Sequence, residues 1–288
     1  MRRVLRWLAY LLGGVAASAA VAALGVYVAS ERVLGRTYPP PAEARALALP
    51  EGPAAVAEGK RLATVRGCYG GCHGMGLEGE VFFDEPGVAR LVAPNLTAAA
   101  RRYSDAELER IIRHGMRPDG RSVFGMPSGM FQALSDEDLA HILTFLRSEP
   151  AVRGLDPRLD VGPLGRVGLV LGQFQPAAQV ARQQAVPAPA ATPSAGDSLA
   201  LGRYLALTSC TECHGADLLG RDGTPPLTVA VAYSPEELRS FFRTGAAKGG
   251  RELALMSDMA RRRFSQLTDA EVRALHAYLR TLVPPPAS

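Results

Sequence analysis

Two short stretches, RGCYGGCHGMG at residues 66–76 and TSCTECHGAD at residues 208–217, contain all four cysteines of this 288-residue chain. In each stretch a histidine, His73 or His214, directly follows the second cysteine. A pair of cysteines in an oxidising compartment forms a disulfide readily, but a disulfide needs no adjacent histidine. The repeated Cys–Cys–His order therefore indicates a site that uses both thiols and the imidazole. The two pairs are Cys68 with Cys72 and Cys210 with Cys213.

The second stretch has the form C-x-x-C-H, the signature of covalent haem c attachment. In such a site the thiols form thioethers to the haem vinyl groups, and the histidine binds the iron. We therefore predict two covalently attached haem c groups, one at each stretch, with His73 and His214 as iron ligands. Zinc is the alternative, but a zinc site needs about four protein ligands. Neither stretch has a further cysteine or an evident histidine pair to complete one.

The first stretch has one more residue between its cysteines, giving C-x-x-x-C-H. The order Cys72–His73, which places the iron ligand, is unchanged. Gly70 and Gly71 lie between the thiols and can adopt backbone angles that are closed to other residues. We therefore expect a bulged loop that still binds haem. A degenerate site is the alternative, and the thioether at Cys68 is left open.

The chain contains an internal repeat around these stretches. EGKRLATVRGCYGGCHGMGLEG at 58–79 parallels LGRYLALTSCTECHGADLLG at 201–220, and ALSDEDLAHILTFLRS at 133–148 parallels QLTDAEVRALHAYLRT at 266–281. The latter pair predicts helices, because a Ser or Thr precedes an acid and apolar residues recur at helical spacing. Middle helices are predicted by the same start and stop signals in SDAELERIIRHG and SPEELRSFFRTG.

Each unit resembles a class I cytochrome c domain, and the whole chain resembles the membrane-anchored dihaem cytochromes c of bacteria, over about residues 54–148 and 197–283. The resemblance implies an all-α fold: two tandem class I cytochrome c domains after an N-terminal transmembrane helix. It also implies that a glycine of the first helix crosses closely against an aromatic residue of the last. The expected pairs are Gly59 with Phe145 and Gly202 with Tyr278.

The resemblance further implies a methionine as the sixth iron ligand, before the last helix of each unit. Met126–Pro127 matches the Met-Pro of class I cytochromes, and Met126 is expected in preference to Met116 or Met130. In the second unit we expect Met256, while the spacing to the last helix favours Met259. A His/Met ligand pair raises the reduction potential of the haem.

The N-terminus predicts a membrane anchor. Arg2, Arg3 and Arg6 precede a run without charged residues from Trp7 to Ala29. About 20 apolar residues span a bilayer, and the positive end stays in the cytoplasm. We therefore expect a single-pass protein of a bacterial cytoplasmic membrane, with the haem domains on the periplasmic or outer side. A cleaved signal peptide remains the alternative.

These features divide the chain into five predicted segments. Between the two units, GPLGRVGLVLGQF at 162–174 is expected to pack as a strap, and AVPAPAATPSAG at 185–196 is expected to be an extended linker. The predicted segments are a transmembrane anchor at 1–30, a spacer at 31–53, a first cytochrome c domain at 54–150, a linker and strap at 151–196, and a second cytochrome c domain at 197–284.

The predicted function is electron transfer by a carrier that is not itself an enzyme. Its expected partners are redox proteins of the periplasm or membrane, and lipid through the anchor. Nucleic acid is not expected, because the net charge is only +4 and no block of Lys and Arg is present. A cytochrome subunit of a periplasmic dehydrogenase complex is one alternative. A dihaem peroxidase is a weaker one, because it requires an open iron site with acid–base groups beside it.

Overall fold

The computed structural model describes residues 2–41, 47–184, 186–221 and 223–283. The first helix, α1 (Arg2–Leu34), is long and apolar enough to cross a membrane, and its apolar side chains are exposed. It extends four residues past the predicted end of the anchor at residue 30. Residues 42–46 of the predicted spacer, Ala185 of the linker and residue 284 of the second predicted domain lie outside the described residues.

The first unit consists of five helices and a hairpin. The helices are α2 (Pro53–Val65), α3 (Leu96–Arg102), α4 (Asp105–His114), α5 (Ser128–Phe131) and α6 (Asp136–Ser148). Helices α2 and α6 cross at Gly59, where an added Cβ would collide with the carbonyl oxygen of His141 and lie 2.8 Å from Cβ of Phe145. The expected close crossing of the first and last helices is therefore confirmed.

The hairpin belongs to a small antiparallel sheet that was not predicted from the sequence. Its strands are β1 (Glu80–Glu85), β2 (Ala89–Ala93) and β3 (Arg158–Val161), in the order β1-β2-β3. Pro86 and Gly87 form the turn between β1 and β2, and Gly87 has a φ of 78°. Pro followed by Gly at a positive φ is the signature of a type II turn. β3 comes from the segment after the first unit and pairs with β2.

The segment between the units forms two helices and an extended stretch. Helix α7 (Pro163–Val170) packs on the C-terminal end of α1, and α8 (Ala177–Gln183) packs on α5 of the first unit. The strap therefore holds the membrane helix to the first unit. The linker has no helix or strand over residues 186–194, and the carbonyl groups of Pro189 and Ala190 accept hydrogen bonds from the first residues of α6.

In its described residues, the second unit repeats the helical framework and has no counterpart of the β1–β2 hairpin. Its helices are α9 (Ser198–Ser209), α10 (Thr211–His214), α11 (Pro235–Thr244), α12 (Leu255–Arg262) and α13 (Asp269–Arg280), with 3₁₀ turns at Leu227–Ala232 and Phe264–Gln266 and two-residue strands β4 (Ala246–Ala247) and β5 (Arg251–Glu252). At Gly202 an added Cβ would collide with the carbonyl oxygen of Ala274 and lie 2.7 Å from Cβ of Tyr278. The second predicted crossing is thus also confirmed.

The helix boundaries follow the capping signals. Ser104, Ser234 and Thr268 each form a complete capping box with a glutamate three residues later. Gly115 and Gly245 end the middle helices in the left-handed conformation, as glycine at a helix C-terminus often does. Ser135 accepts the hydrogen bond from the backbone of Asp138, but the Asp138 carboxylate does not close the box. That carboxylate instead contacts the second unit.

Candidate functional site

The two motif histidines have the same environment in both units. Nδ1 of His73 lies 2.9 Å from the carbonyl oxygen of Pro94, and Nδ1 of His214 lies 2.8 Å from that of Pro225. A carbonyl oxygen only accepts, so Nδ1 carries the proton and Nε2 is left as the metal-binding nitrogen. Burial also lowers the pKa of His73, which keeps its imidazole neutral near pH 7. Both rings therefore have the same orientation and tautomer, and their role as iron ligands stays a prediction.

The backbone after each histidine has the same conformation in the two units. The amides of Gly79 and Gly220 donate to the carbonyl oxygens of His73 and His214, both at 2.9 Å. Leu77 and Leu218 adopt the unusual positive φ values of 66° and 64°. Such angles are rare for a residue with a branched side chain and persist only where the surroundings impose them. The shared conformation shows that the loops are structurally equivalent.

The cysteine loops differ where the sequences differ. In the second unit Cys210 to His214 is a helical turn, and the amide of His214 donates to the carbonyl oxygen of Cys210 at 3.0 Å. In the first unit Gly67 and Gly70 adopt φ values of 79° and 68°, and the amide of Cys72 donates to the carbonyl of Gly67 at 3.0 Å. The extra length is therefore absorbed before Cys72, and the geometry at the histidine is unaffected.

The four thiols are free and differ from those of a dithiol redox site. All four cysteines are unpaired. Burial raises the pKa of Cys68 to about 11 and that of Cys210 to about 12, whereas the cysteines of dithiol redox sites have lowered pKa values. Within the described residues, no group of three or more His, Cys, Asp and Glu side chains converges to hold a metal ion by itself. The residues present thus fit an attached haem.

The methionine candidates lie in different surroundings. Met126 is half-buried against Met130, Phe131 and Leu134, a cluster separate from the one that contains Cys68. Ile112 contacts both clusters. Met116 is buried elsewhere, against Tyr38 and Ala178. Met126 stays a prediction as the ligand of the first unit, on the Met-Pro resemblance.

In the second unit Met256 and Met259 are both half-buried against the core that contains Cys210. They differ in their polar contacts, because Sδ of Met259 lies 3.9 Å from Nη1 of Arg263, which donates to it. A sulfur atom that accepts from a guanidinium is less available to a metal. This contact favours Met256 over the spacing argument for Met259, and Met256 stays a prediction.

Direct contacts join the two cysteine loops. Nη1 of Arg66 donates to Oγ of Ser209 at 2.6 Å, and these residues lie two and one positions before the first cysteines of their motifs. Arg263 reaches from the second unit to the first, where its Nε donates to the carbonyl oxygen of Val65 at 3.1 Å. Its guanidinium occupies the space that a side chain at Gly67 would fill. One buried cation therefore lies beside both loops.

Two further contacts relate the units by an approximate twofold axis. Arg61 donates to Glu271 at 2.9 and 3.1 Å, and the hydroxyl of Tyr204 donates to Asp138 at 2.6 Å. Arg61 and Tyr204 are equivalent positions of the repeat, as are Asp138 and Glu271. The first helix of each unit thus contacts the last helix of the other, as in an isologous dimer. Sequence analysis missed this interface, although polar residues at equivalent repeat positions are its signal.

Two similar helical units, each with a Cys–His loop whose imidazole Nδ1 is bonded to a proline carbonyl oxygen, define a haem-binding electron carrier. The sequence pattern of the family described as "Cytochrome c" matches residues 56–149 and 199–283, more than half of the chain. The chain belongs to the cytochrome c family, and membership of this family implies covalently bound haem c. The predicted resemblance, the mainly helical fold class and the carrier function are confirmed. The predicted domain boundaries stay predictions.

Curated relatives share low identity over most of the chain. The chain is 24% identical over 260 residues to the fructose dehydrogenase cytochrome subunit of Gluconobacter japonicus, covering 79% of this chain and 52% of the relative. It is 24% identical over 268 residues to the alcohol dehydrogenase (quinone) cytochrome c subunits of Gluconacetobacter polyoxogenes and Komagataeibacter europaeus, covering 79% of this chain and 55% of each relative. The chain therefore spans about half the length of these relatives.

Proposed function

We propose that this chain is a membrane-tethered cytochrome c with two haem groups, which passes electrons between redox partners outside the cytoplasm. Helix α1 supplies the tether in a bacterial cytoplasmic membrane, and the haem units lie on its periplasmic or outer side. Each haem supplies a one-electron iron couple whose potential a His/Met pair raises. The proposed attachment residues and iron ligands are Cys68, Cys72, His73 and Met126 in the first unit, and Cys210, Cys213, His214 and Met256 in the second.

The observation that carries this proposal is the direct contact between the two cysteine loops. Arg66 and Ser209 are joined by a hydrogen bond of 2.6 Å, and both are buried. The two cysteine loops therefore lie side by side, which supports neighbouring attachment sites. A carrier with adjacent sites accepts an electron at one unit and delivers it from the other. The residues of this interface hold the two cysteine loops at a fixed separation and orientation.

The partner that we propose is a membrane-associated dehydrogenase, with this chain as its cytochrome subunit. The support comes from the similar proteins, which are named as cytochrome subunits of fructose and alcohol dehydrogenases. The similarity covers 79% of this chain and about half of each relative. The substrate of the dehydrogenase is left open, because the likeness covers the electron-transfer region.

The number of haems is tested on the purified full chain by a pyridine haemochrome assay together with intact-protein mass spectrometry. Two covalent haems per chain are expected. A mass with a single haem would refute the two-haem proposal, and comparison with a Cys213→Ala variant would show which unit carries the remaining group. Co-purification from the native membrane tests the partner separately. Recovery of the cytochrome without an associated dehydrogenase under mild detergent would refute the subunit role.

A further inference from the structure

Helix α7 has an exposed apolar face beside the end of the membrane helix. Leu164 is 65% exposed and Leu171, just after the helix, is 66% exposed, with Val167 and Val170 at about 40%. Leu164, Val167 and Leu171 recur at intervals of three and four residues and therefore share one side of the helix. The opposite side is buried through Gly165 and Leu169. Soluble helices rarely present so continuous an apolar stripe to water.

The only charged residue from Val161 to Ala181 is Arg166, and its charge is held against α1. Its Nη1 lies 2.7 Å from both Oγ of Ser30 and Oε1 of Glu31, and the guanidinium stacks 4.3 Å from the ring centroid of Tyr27. The ion pair neutralises the cation and fixes the rotation of α7 against α1. The apolar stripe is therefore left without a charge of its own.

These contacts also fix the depth of α7 relative to a bilayer. The run without charged residues, from Trp7 to Ala29, is 23 residues long. It measures about 35 Å as a helix, slightly more than the roughly 30 Å of a hydrocarbon core. Tyr27 and Glu31 therefore lie at the level of the head groups, where tyrosine is enriched. Arg166 holds α7 at that same level.

The first unit holds α7 rigidly from the other side. The amide of Leu164 donates to the carbonyl oxygen of Gly87 at 2.9 Å, in the turn between β1 and β2. An added Cβ at Gly165 would collide with the carbonyl oxygen of Val88. Beyond α7, the ring of Phe174 packs 5.3 Å from that of Phe124, two residues before Met126. A surface that contacts α7 therefore also fixes the height of the first haem unit.

We propose that α7 is an interfacial helix, which buries Leu164, Val167 and Leu171 in the outer leaflet of the lipid bilayer next to the end of α1. An amphipathic helix of this kind lies in the membrane plane with its apolar face about 5–10 Å into the head-group and acyl boundary. Lipid is the occupant because Arg166 joins α7 to the end of α1, at the level where that helix leaves the hydrocarbon core. This inference rests on the proposed membrane tether.

The test places a nitroxide at single sites of the full chain, reconstituted into phosphatidylcholine–phosphatidylglycerol vesicles, with the haems reduced to the diamagnetic ferrous state. The sites are Leu171→Cys, Leu164→Cys, a tether control Val15→Cys in α1, and a matched exposed leucine, Leu219→Cys, in the second unit. Unsubstituted protein taken through the labelling gives the background. Collision of the label with oxygen and with a water-soluble nickel chelate reports lipid and water access, respectively.

We expect the oxygen-to-nickel accessibility ratio of the labels at 171 and 164 to lie between those at 15 and 219, and to be severalfold above that at 219. Water access at 171 and 164 with lipid access at 15 would overturn the interfacial helix and leave the tether intact. Such a result would mean that the stripe awaits a protein partner. Water access at 15 would overturn the tether itself. Leu164 and Leu171 are exposed, so their substitution leaves the fold unchanged.

Discussion

Replacing Asp138 with asparagine removes the carboxylate charge at the centre of the interface between the two units. Oδ2 of Asp138 lies 3.3 Å from Nη2 of Arg66 and accepts from the hydroxyl of Tyr204 at 2.6 Å. Oδ1 accepts from Thr192 of the linker at 2.6 Å. The Arg66 side chain is 1% exposed and that of Asp138 is 8% exposed. The substitution keeps the shape of the side chain and leaves the guanidinium buried without a counter-charge.

The expected loss of unfolding free energy is about 3–5 kcal/mol, the usual cost of breaking a buried ion pair by removing one partner. Its symmetry-related counterpart, Glu271→Gln, provides the control. Arg61 and Glu271 are 22% and 14% exposed, and Arg61 keeps a second partner in Glu58 at 2.7 Å. Glutamine also retains the capping box at Thr268. Glu271→Gln should therefore cost no more than about 1 kcal/mol.

The assay is guanidinium unfolding of the holoprotein in detergent, followed by far-ultraviolet circular dichroism and by haem absorbance. Asp138→Asn should shift the midpoint well below those of the parent and Glu271→Gln. An additional Arg66→Met substitution should recover most of the loss, because it removes the orphaned charge. Equal midpoints for the two single variants, or no recovery in the double variant, would refute the proposed role of this buried pair.

Three further predictions concern the haem sites. Arg263→Gln removes the buried cation beside both cysteine loops. It should lower both reduction potentials by about 30–60 mV, which is a roughly three- to tenfold change in the equilibrium constant of a one-electron couple. In spectroelectrochemistry, the control Arg262→Gln, at an exposed neighbour, should leave both potentials unchanged. Cys68→Ala should retain the first haem through Cys72, whereas Cys72→Ala should lose it, as measured by the mass of the intact protein. Retention of both haems in Cys72→Ala would contradict the assignment of Cys72 as the main attachment residue. Met126→Ala should abolish the ferric charge-transfer absorption of one Met-ligated haem, and an unchanged spectrum would transfer the role to another methionine.

The helices were predictable because their signals are local. Ser104 and Ser234 begin the middle helices and glycines end them, in agreement with the capping rules. The hairpin of β1 and β2 also has a local signal, Pro86–Gly87 between two short apolar runs, but the resemblance to an all-α fold implies no strands there. The internal repeat also indicates the position of the hairpin. Leu96 follows Gly79 by 17 positions, whereas the equivalent Leu227 follows Gly220 by only 7, so the first repeat contains an insertion here. An unmatched insertion in one repeat is therefore evidence for an added element.

The role of Asp138 could not be predicted, because it depends on contacts between distant segments. The sequence placed Asp138 at the capping-box position, and the serine half of that motif is present. Its carboxylate binds Tyr204 and Thr192, which lie 66 and 54 residues away. A buried cation from a third segment, Arg66, makes this arrangement more favourable than a bond to the local backbone. Capping patterns therefore predict the helix start more reliably than the partner of the acid.

The approximate twofold axis explains why the two halves of the repeat had to diverge. Arg66 and Ser209 are equivalent positions and contact each other, so identical halves would bring two arginines together at the axis. Serine on one side converts that repulsion into a hydrogen bond of 2.6 Å.

A second extra residue precedes the first cysteine loop, and it has a similar explanation. Cys68 follows Gly59 by nine positions, whereas Cys210 follows Gly202 by eight. The additional residue places Gly67 beneath Arg263, and a Cβ there would lie 3.0–3.2 Å from the guanidinium. Any side chain at this position would therefore press against the cation that joins the units. The residue inserted before Cys68 is thus tied to the packing between the two units, while His73 keeps the geometry of its counterpart His214.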